Sequence, residues 1–387
     1  MAAGILNIKE VQDLVSGSKL ERPSGKTWAQ LIGHSSFDLP LGEEYWEMRG
    51  SCRAGKGWKV RDDIIPRFAK TPEPKTLTGE IVLQRGHVYV FRADCRVNLK
   101  NERILGKATG KSSVGRLDVL VRLLVDGCDS FDLLPENYSG NLYIEVTPIT
   151  FPLLVRPGVS LSQLRLCRGP QHLSTLSMEA LSYEDESFPV LDRDGRPLKD
   201  FCTDNPGELF YPFSLDLAPD PKTGFSAFVA KGVNDIPEVP IDLEKRDAYD
   251  PKLYWEPVKW ENSSIDLQLD RLYILRSRER LKMPAHLALE CKSYTETMGE
   301  WRIEYAGFAH PFFGRTRGNG TPIIFEVRGH NIPTILTDSI PLGNVSFRRM
   351  SSPAAAEDAE ADGDYENQEL KLSKCFKDWP PDLGGVE

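Results

Sequence analysis

Landmarks in the first half of this chain return in the second half in the same order. Ser35-Ser36-Phe37-Asp38-Leu39 is matched by Phe213-Ser214-Leu215-Asp216-Leu217. His87-Val88-Tyr89-Val90-Phe91-Arg92 returns as Arg271-Leu272-Tyr273-Ile274-Leu275-Arg276, and Leu142-Tyr143-Ile144-Glu145-Val146 as Ile323-Ile324-Phe325-Glu326-Val327. Each copy then passes through a Phe-Pro or Ile-Pro pair into a strand and a turn, Pro157-Gly158 in the first and Leu342-Gly343 in the second. An ordered repeat of this kind implies one structural unit built twice. The length agrees, since 387 residues exceed what one ordinary core serves.

The texture of each copy is β. Ile81-Val82-Leu83, His87–Phe91, Leu142–Val146 and Phe151–Val155 are short runs rich in branched and aromatic residues, separated by Gly, Pro, Asn and Asp. No long helical pattern intervenes, which argues against a parallel βαβ sheet. A short helix is expected near the start, where Ile8, Val11, Leu14 and Val15 recur at helical spacing, with Asn7 as N-cap and Gly17 as stop. The chain divides into residues 1–170, a connector at 171–205, residues 206–350, and an acidic linker with a tail at 351–387. The segment carries the turn Asp192-Arg193-Asp194-Gly195 and is expected to form either a hairpin or a plain connector.

The net charge of -9 argues against binding nucleic acid through the overall field. Part of that excess sits in the run from Ala354 to Glu369, which has no Lys or Arg, so a local basic pocket remains compatible with it. No apolar run approaches the roughly 20 residues of a membrane helix, and the start shows no secretory pattern. Seven scattered cysteines without a C-x-x-C pair point to reduced thiols and a cytoplasmic location.

Gly110-Lys111-Ser112-Ser113-Val114-Gly115-Arg116 has the ingredients of a phosphate cradle: glycines for close backbone approach, hydroxyl donors and two cations. It is not a P-loop, because G-x-x-x-x-G-K-[ST] is absent. Alone, Lys-Ser-Ser in a turn more often marks an ordinary polar loop. Likewise a lone strand glutamate such as Glu145 fits a solvent-facing or Arg-paired carboxylate.

In context these residues resemble the dCTP deaminase family of the dUTPase-like superfamily. The resemblance starts at Ser35-Ser36-Phe37-Asp38-Leu39-Pro40-Leu41-Gly42, continues through Ser112-Ser113 and Arg116 to Glu145, and reaches Arg156-Pro157-Gly158 and Ser162-Gln163-Leu164. It implies a mainly β fold, two tandem dUTPase-like distorted β-barrel or jelly-roll units with short helices. It also implies hydrolytic deamination of dCTP to dUTP and ammonia, with Glu145 as proton shuttle and Ser112 helping to hold the water. One carboxylate can perform both proton transfers if burial raises its pKa. Lys111, Ser113 and Arg116 would contact the triphosphate, Asp129 the deoxyribose, and Gln163 would join the nucleotide site. Mg²⁺ would arrive with the triphosphate. No zinc is expected, since H-x-E and P-C-x-x-C are missing and the six histidines are isolated. The partners implied are dCTP or dUTP, with no nucleic acid or membrane, and a homo-oligomer, a trimer being the superfamily's usual assembly.

The chain also departs from the family pattern. The first copy carries Val125-Asp126-Gly127-Cys128-Asp129-Ser130-Phe131-Asp132 and further residues where the family has a tight base-reading hairpin. The second copy keeps a better hairpin, Ala306 to Gly314 with His310, and a strand glutamate, Glu326. It lacks the cradle, with Lys292-Ser293-Tyr294 and Thr297 in its place. Either the first copy holds the complete site, or a composite site joins its cradle to Glu326 and His310. In the tail, Tyr365 and Gln368 match a Lys-Tyr-x-x-Gln segment that closes over triphosphate in the family, with Asp364 replacing the Lys. Two other readings stay open: a dUTP diphosphatase or bifunctional enzyme drawing on Asp129 and Asp132, and a non-catalytic nucleotide-binding protein.

Overall fold

The computed structural model describes residues 2–21, 26–184, 187–260, 263–292, 301–303, 307–355 and 363–380. Ser293, Tyr294, Thr297, Ala306 and residues 356–362 of the acidic run lie outside them. The first helix forms where its pattern predicts it. Helix α1 (Ile8–Ser16) is capped reciprocally: Asn7 Oδ1 accepts from Glu10 N–H at 3.0 Å, and Glu10 Oε2 accepts from Asn7 N–H at 3.1 Å. Val11 and Leu14 are its buried side.

The architecture is mainly β, a near-closed barrel and a half-barrel. The chain separates into two units, Met1–Ser174 with Val239–Glu244 and Arg349–Ala354, and Thr175–Glu238 with Lys245–Arg348 and Ala355–Glu387. The first unit is built on strands β1 (Phe37–Met48), β2 (Val88–Asn98), β3 (Ile104–Gly110), β4 (Val119–Leu124), β5 (Ser139–Pro148) and β6 (Ser160–Arg168). Between β1 and β2 lies helix α2 (Ile65–Phe68), and between β3 and β4 the helical turn α3 (Ser112–Gly115). In the sheet the order is β4-β5-β2-β1-β6-β3.

The second unit uses β7 (Tyr211–Asp216), β8 (Ala227–Ala230), β9 (Leu272–Leu281), β10 (Leu287–Cys291), β11 (Thr321–Gly329) and β12 (Pro341–Arg349). Its path β11-β9-β7-β12-β10 reproduces β5-β2-β1-β6-β3 of the first unit. The repeat holds in register as well: Glu145 stands opposite Val90, and Glu326 opposite Ile274. One difference is physical. Strand β1 runs through twelve residues, whereas its counterpart is split into β7 and β8 by a loop with Pro219 and Pro221, which lack ladder donors.

Side-chain alternation with a period of two decides which residues leave the core. On β11, Phe325 and Val327 enter the second core, so Glu326 faces the other way. On β5, Leu142, Ile144 and Val146 are fully buried, and Tyr143 and Glu145 take the opposite face. The connector contributes to the second core through Met178, Leu181, Phe188, Val190 and Cys202. Its predicted turn forms, with Asp192 Oδ1 accepting from Asp194 N–H at 2.8 Å and Arg196 N–H at 2.9 Å. None of the seven cysteines is in a disulfide. Among the described residues no helix is long and apolar enough to cross a membrane.

Candidate active site

Glu145 projects from β5 with Val90 of β2 and Arg122 of β4 as its lateral neighbours. It is 4% exposed. Its carboxyl is held by a segment the sequence reading passed over, residues 49–70 between β1 and β2. Ser51 Oγ–H donates to Oε1 at 2.7 Å, and Cys52 N–H to Oε2 at 3.4 Å. Burial is the strongest influence and raises the Glu145 pKa above the ordinary carboxylate value. Ser51, Cys52 N–H and Arg122 oppose the rise, while the Asp132 charge adds to it.

The segment stays over this face because both partners supply apolar surface. Ala54, Val60, Ile64 and Ile65 pack with Trp46, Met48, Val90, Leu124 and Tyr143. Arg61 stacks over the Trp46 ring at 4.7 Å and Arg67 over Trp58 at 4.5 Å. The enlarged loop after β4 locks against it: Gly127 N–H donates to Trp58 O at 2.7 Å, and Asp126 Oδ1 accepts from Val60 N–H at 2.8 Å. In the same loop Asp132 accepts from Leu123 N–H at 2.8 Å and Arg122 Nη1 at 3.0 Å. Burial is the main influence on Asp132 and raises its pKa. Asp129 is on the exposed part of the loop, where Ser130 Oγ reaches it at 3.3 Å.

The Lys111–Arg116 motif forms helical turn α3, with Lys111 as N-cap and Lys111 O accepting from Val114 and Gly115 N–H. Its residues differ in access. Ser112 is exposed, Lys111 is half-buried, and Ser113 and Arg116 are buried. Lys111 Nζ pairs with Asp38, Asp38 lies opposite Gln163 across β1 and β6, and Gln163 Oε1 accepts from Ser36 Oγ at 3.0 Å. Lys111 and Gln163 thus join Asp38 and Ser36 in one polar group. Strand β4, which leads away from α3 and pairs with β5, links that group to Glu145.

In the second unit Glu326 is buried on β11. His310 Nδ1 lies 2.7 Å from Pro311 O, and its Nε2 lies 3.9 Å from Glu366. The hairpin around it turns at Gly314, whose φ is +74 and whose missing Cβ would fall 1.9 Å from Leu281 O. The tail is seated on this unit. Tyr365 OH accepts from Lys374 N–H at 3.1 Å, and Gln368 Nε2 donates to Pro322 O at 3.0 Å. Among the described residues no group of three or more His, Cys, Asp or Glu is arranged to hold a metal ion.

Residues 2–170 match the family model for the 2'-deoxycytidine 5'-triphosphate deaminase N-terminal domain, and residues 207–376 match that for its C-terminal domain. The chain belongs to the dCTP deaminase family, in its two-domain long form. A crystal structure of 2'-deoxycytidine 5'-triphosphate deaminase from Agrobacterium tumefaciens is similar to it, with 28% identity and a TM-score of 0.79 over 92% of this chain and 100% of that one. No curated protein matches the sequence.

In this dCTP deaminase family member the residues missed at the sequence level were Ser51, Cys52 and Arg122. Arg122 had a signal, since it interrupts the apolar run of β4, Val119-Leu120-Val121-Arg122-Leu123-Leu124. Ser51 had none, because nothing local distinguishes it from any loop serine.

Proposed function

We propose that the chain hydrolyses dCTP to dUTP and ammonia with Glu145 as the proton shuttle. The observation that carries this reading is a buried strand carboxyl whose pKa is raised by burial and whose two oxygens already have directed donors. Such a group takes a proton from water as it attacks C4 and delivers it to N3. It then takes the second proton from the C4 hydroxyl of the tetrahedral intermediate and passes it to the departing amine, leaving the C4 carbonyl. Atoms balance as dCTP plus water giving dUTP plus ammonia. In this reading segment 49–70 opens to admit the base and closes to exclude bulk water.

Ser112 is the exposed hydroxyl of the α3 turn and helps to position the water. Lys111 reaches the triphosphate by exchanging Asp38 for a phosphate oxygen, Ser113 and Arg116 support the turn from its buried side, and Asp129 serves the sugar. Mg²⁺ enters with the triphosphate, held by phosphate oxygens and water. The mechanism uses no zinc, because the chain lacks the H-x-E and P-C-x-x-C signatures. Incubating full-length protein with Mg²⁺ and dCTP, dCMP or dUTP, then measuring ammonia and separating nucleotides, tests the reading. Ammonia from dCTP supports it, and none from any cytosine nucleotide refutes it.

A second reading, an added dUTP diphosphatase activity, draws on Asp132, the half-buried carboxyl beside Arg122. Pyrophosphate released from dUTP in the same assay would establish it. We further propose a homo-oligomer, which light scattering on the eluted protein checks directly.

Ser51 acts through Glu145, as a positioning residue. Its hydrogen bond favours the ionised carboxyl, so Ser51→Ala should move the acid limb of the kcat profile to higher pH with KM little changed. A hydrogen bond to a charged group contributes about 1.5–3 kcal/mol. Ser51→Thr should restore the wild-type limb, and a loss of rate with an unmoved limb would speak against the role.

A further inference from the structure

A single tail carboxylate in the second unit is gripped by three arginines. Glu369 Oε2 lies 3.1 Å from Arg276 Nη1, its Oε1 lies 2.8 Å from Arg317 Nη1, and Arg280 Nη2 pairs with Oε1. The Glu369 side chain is 7% exposed, and those of Arg276 and Arg280 are 4% and 6%. Two arginines stand four residues apart on β9, and the third comes from the loop before β11. The carboxylate comes from a segment that joins the body late in the chain.

The charges do not cancel without Glu369. Asp216 and Asp220 engage Arg276 at 2.9 and 3.1 Å, and Asp216 also pairs with Arg193. That leaves Arg280 and Arg317 with Glu369 as the carboxylate paired with both. Convergent guanidinium groups facing one bidentate acid are the donor set that recognises phosphate. The rest of the segment is held by neutral or mixed contacts: Leu370 N–H donates to Asp220 Oδ2 at 2.9 Å, and Glu366 Oε1 accepts from Gly314 N–H at 2.6 Å.

We propose that Arg276, Arg280 and Arg317 form an oxyanion-binding site for a terminal phosphate group, and that the chain's own Glu369 occupies it as a tethered competitor. The site uses no residue of the α3 turn and does not depend on the assignment of Glu145. Binding of a polyphosphate displaces Glu369 and frees the segment around Leu370. A tethered competitor has an effective concentration on the order of millimolar, so its removal should strengthen anion binding about tenfold or more.

Titration calorimetry of the full chain with inorganic tripolyphosphate tests this. Glu369→Ala should bind at least about tenfold tighter than wild type, and Glu369→Ala/Arg317→Ala should lose the gain. Tripolyphosphate held at the α3 turn is common to all three proteins and cancels in the comparison. In parallel, hydrogen exchange on wild type should show faster exchange at Leu370 as tripolyphosphate is added. Equal affinity of Glu369→Ala and wild type overturns the proposal, as does a gain that survives loss of Arg317. If Glu369→Ala fails to fold, Glu369→Gln and the wild-type exchange experiment decide, and unchanged exchange at saturating tripolyphosphate overturns it.

Discussion

Glu145→Gln is expected to lower kcat for dCTP by about 10²–10⁴-fold, the range that positioned general acid–base groups contribute. It should also make the protein more stable near neutral pH. Burial raises the folded-state pKa of Glu145 above its unfolded value. The folded protein therefore holds that proton more tightly, and stability falls as pH rises from the unfolded pKa through the folded one. A neutral glutamine of the same shape avoids this loss. Thermal melts at pH 5 and pH 8 should show a larger advantage for the variant at pH 8, and single-turnover kinetics should show the loss in the chemical step. Activity that survives Glu145→Gln and disappears in Glu326→Gln would transfer the shuttle role to the second copy.

Arg276→Met should destabilise the second unit by about 3–5 kcal/mol, the usual cost of leaving buried charges without their partner. Arg276 satisfies Asp216, Asp220, Glu369 and the Ala218 carbonyl at once, and methionine replaces none of those donors. For a unit of this size the melting transition should fall on the order of 10 °C. The pH dependence has a definite sign. Burial pushes the Asp216 pKa up, but Arg193 and Arg276 outweigh it and hold it below the usual value. In the wild type that contribution is present above the unfolded pKa and lost as pH falls through the folded one. In the variant Asp216 loses one of its two arginines, so the deficit should be fully present at about pH 6 and shrink at about pH 3, below the ordinary carboxylate value of 3.8. A uniform deficit across that range would show that packing, and not charge, sets the cost.

The two experiments probe faces that correspond in the duplicated fold. In the first unit segment 49–70 covers the face that carries Glu145, Val90 and Trp46. In the second, Phe228, Ile274 and Glu326 hold the equivalent register positions. There the tail packs close by, with the Trp379 ring 5.0 Å from Phe228 and Glu369 on Arg276. One sheet plan thus carries a different cover in each unit.

Much of this was legible in the residues alone. Recurring landmarks implied a duplicated β unit, and the strand order of the two units agrees with it. Alternation along Leu142–Val146 and Ile323–Val327 placed Glu145 and Glu326 away from the cores, because a strand's side chains change face at every residue. The Ser-Ser-x-x-Arg and strand-Glu pattern led to the family that both domain matches establish. Tertiary structure alone decided what meets those carboxyls. Ser51 reaches Glu145 across 94 positions, and Arg276 meets Glu369 across 93. Such contacts follow from how the loops close over a finished sheet, and no local periodicity encodes them.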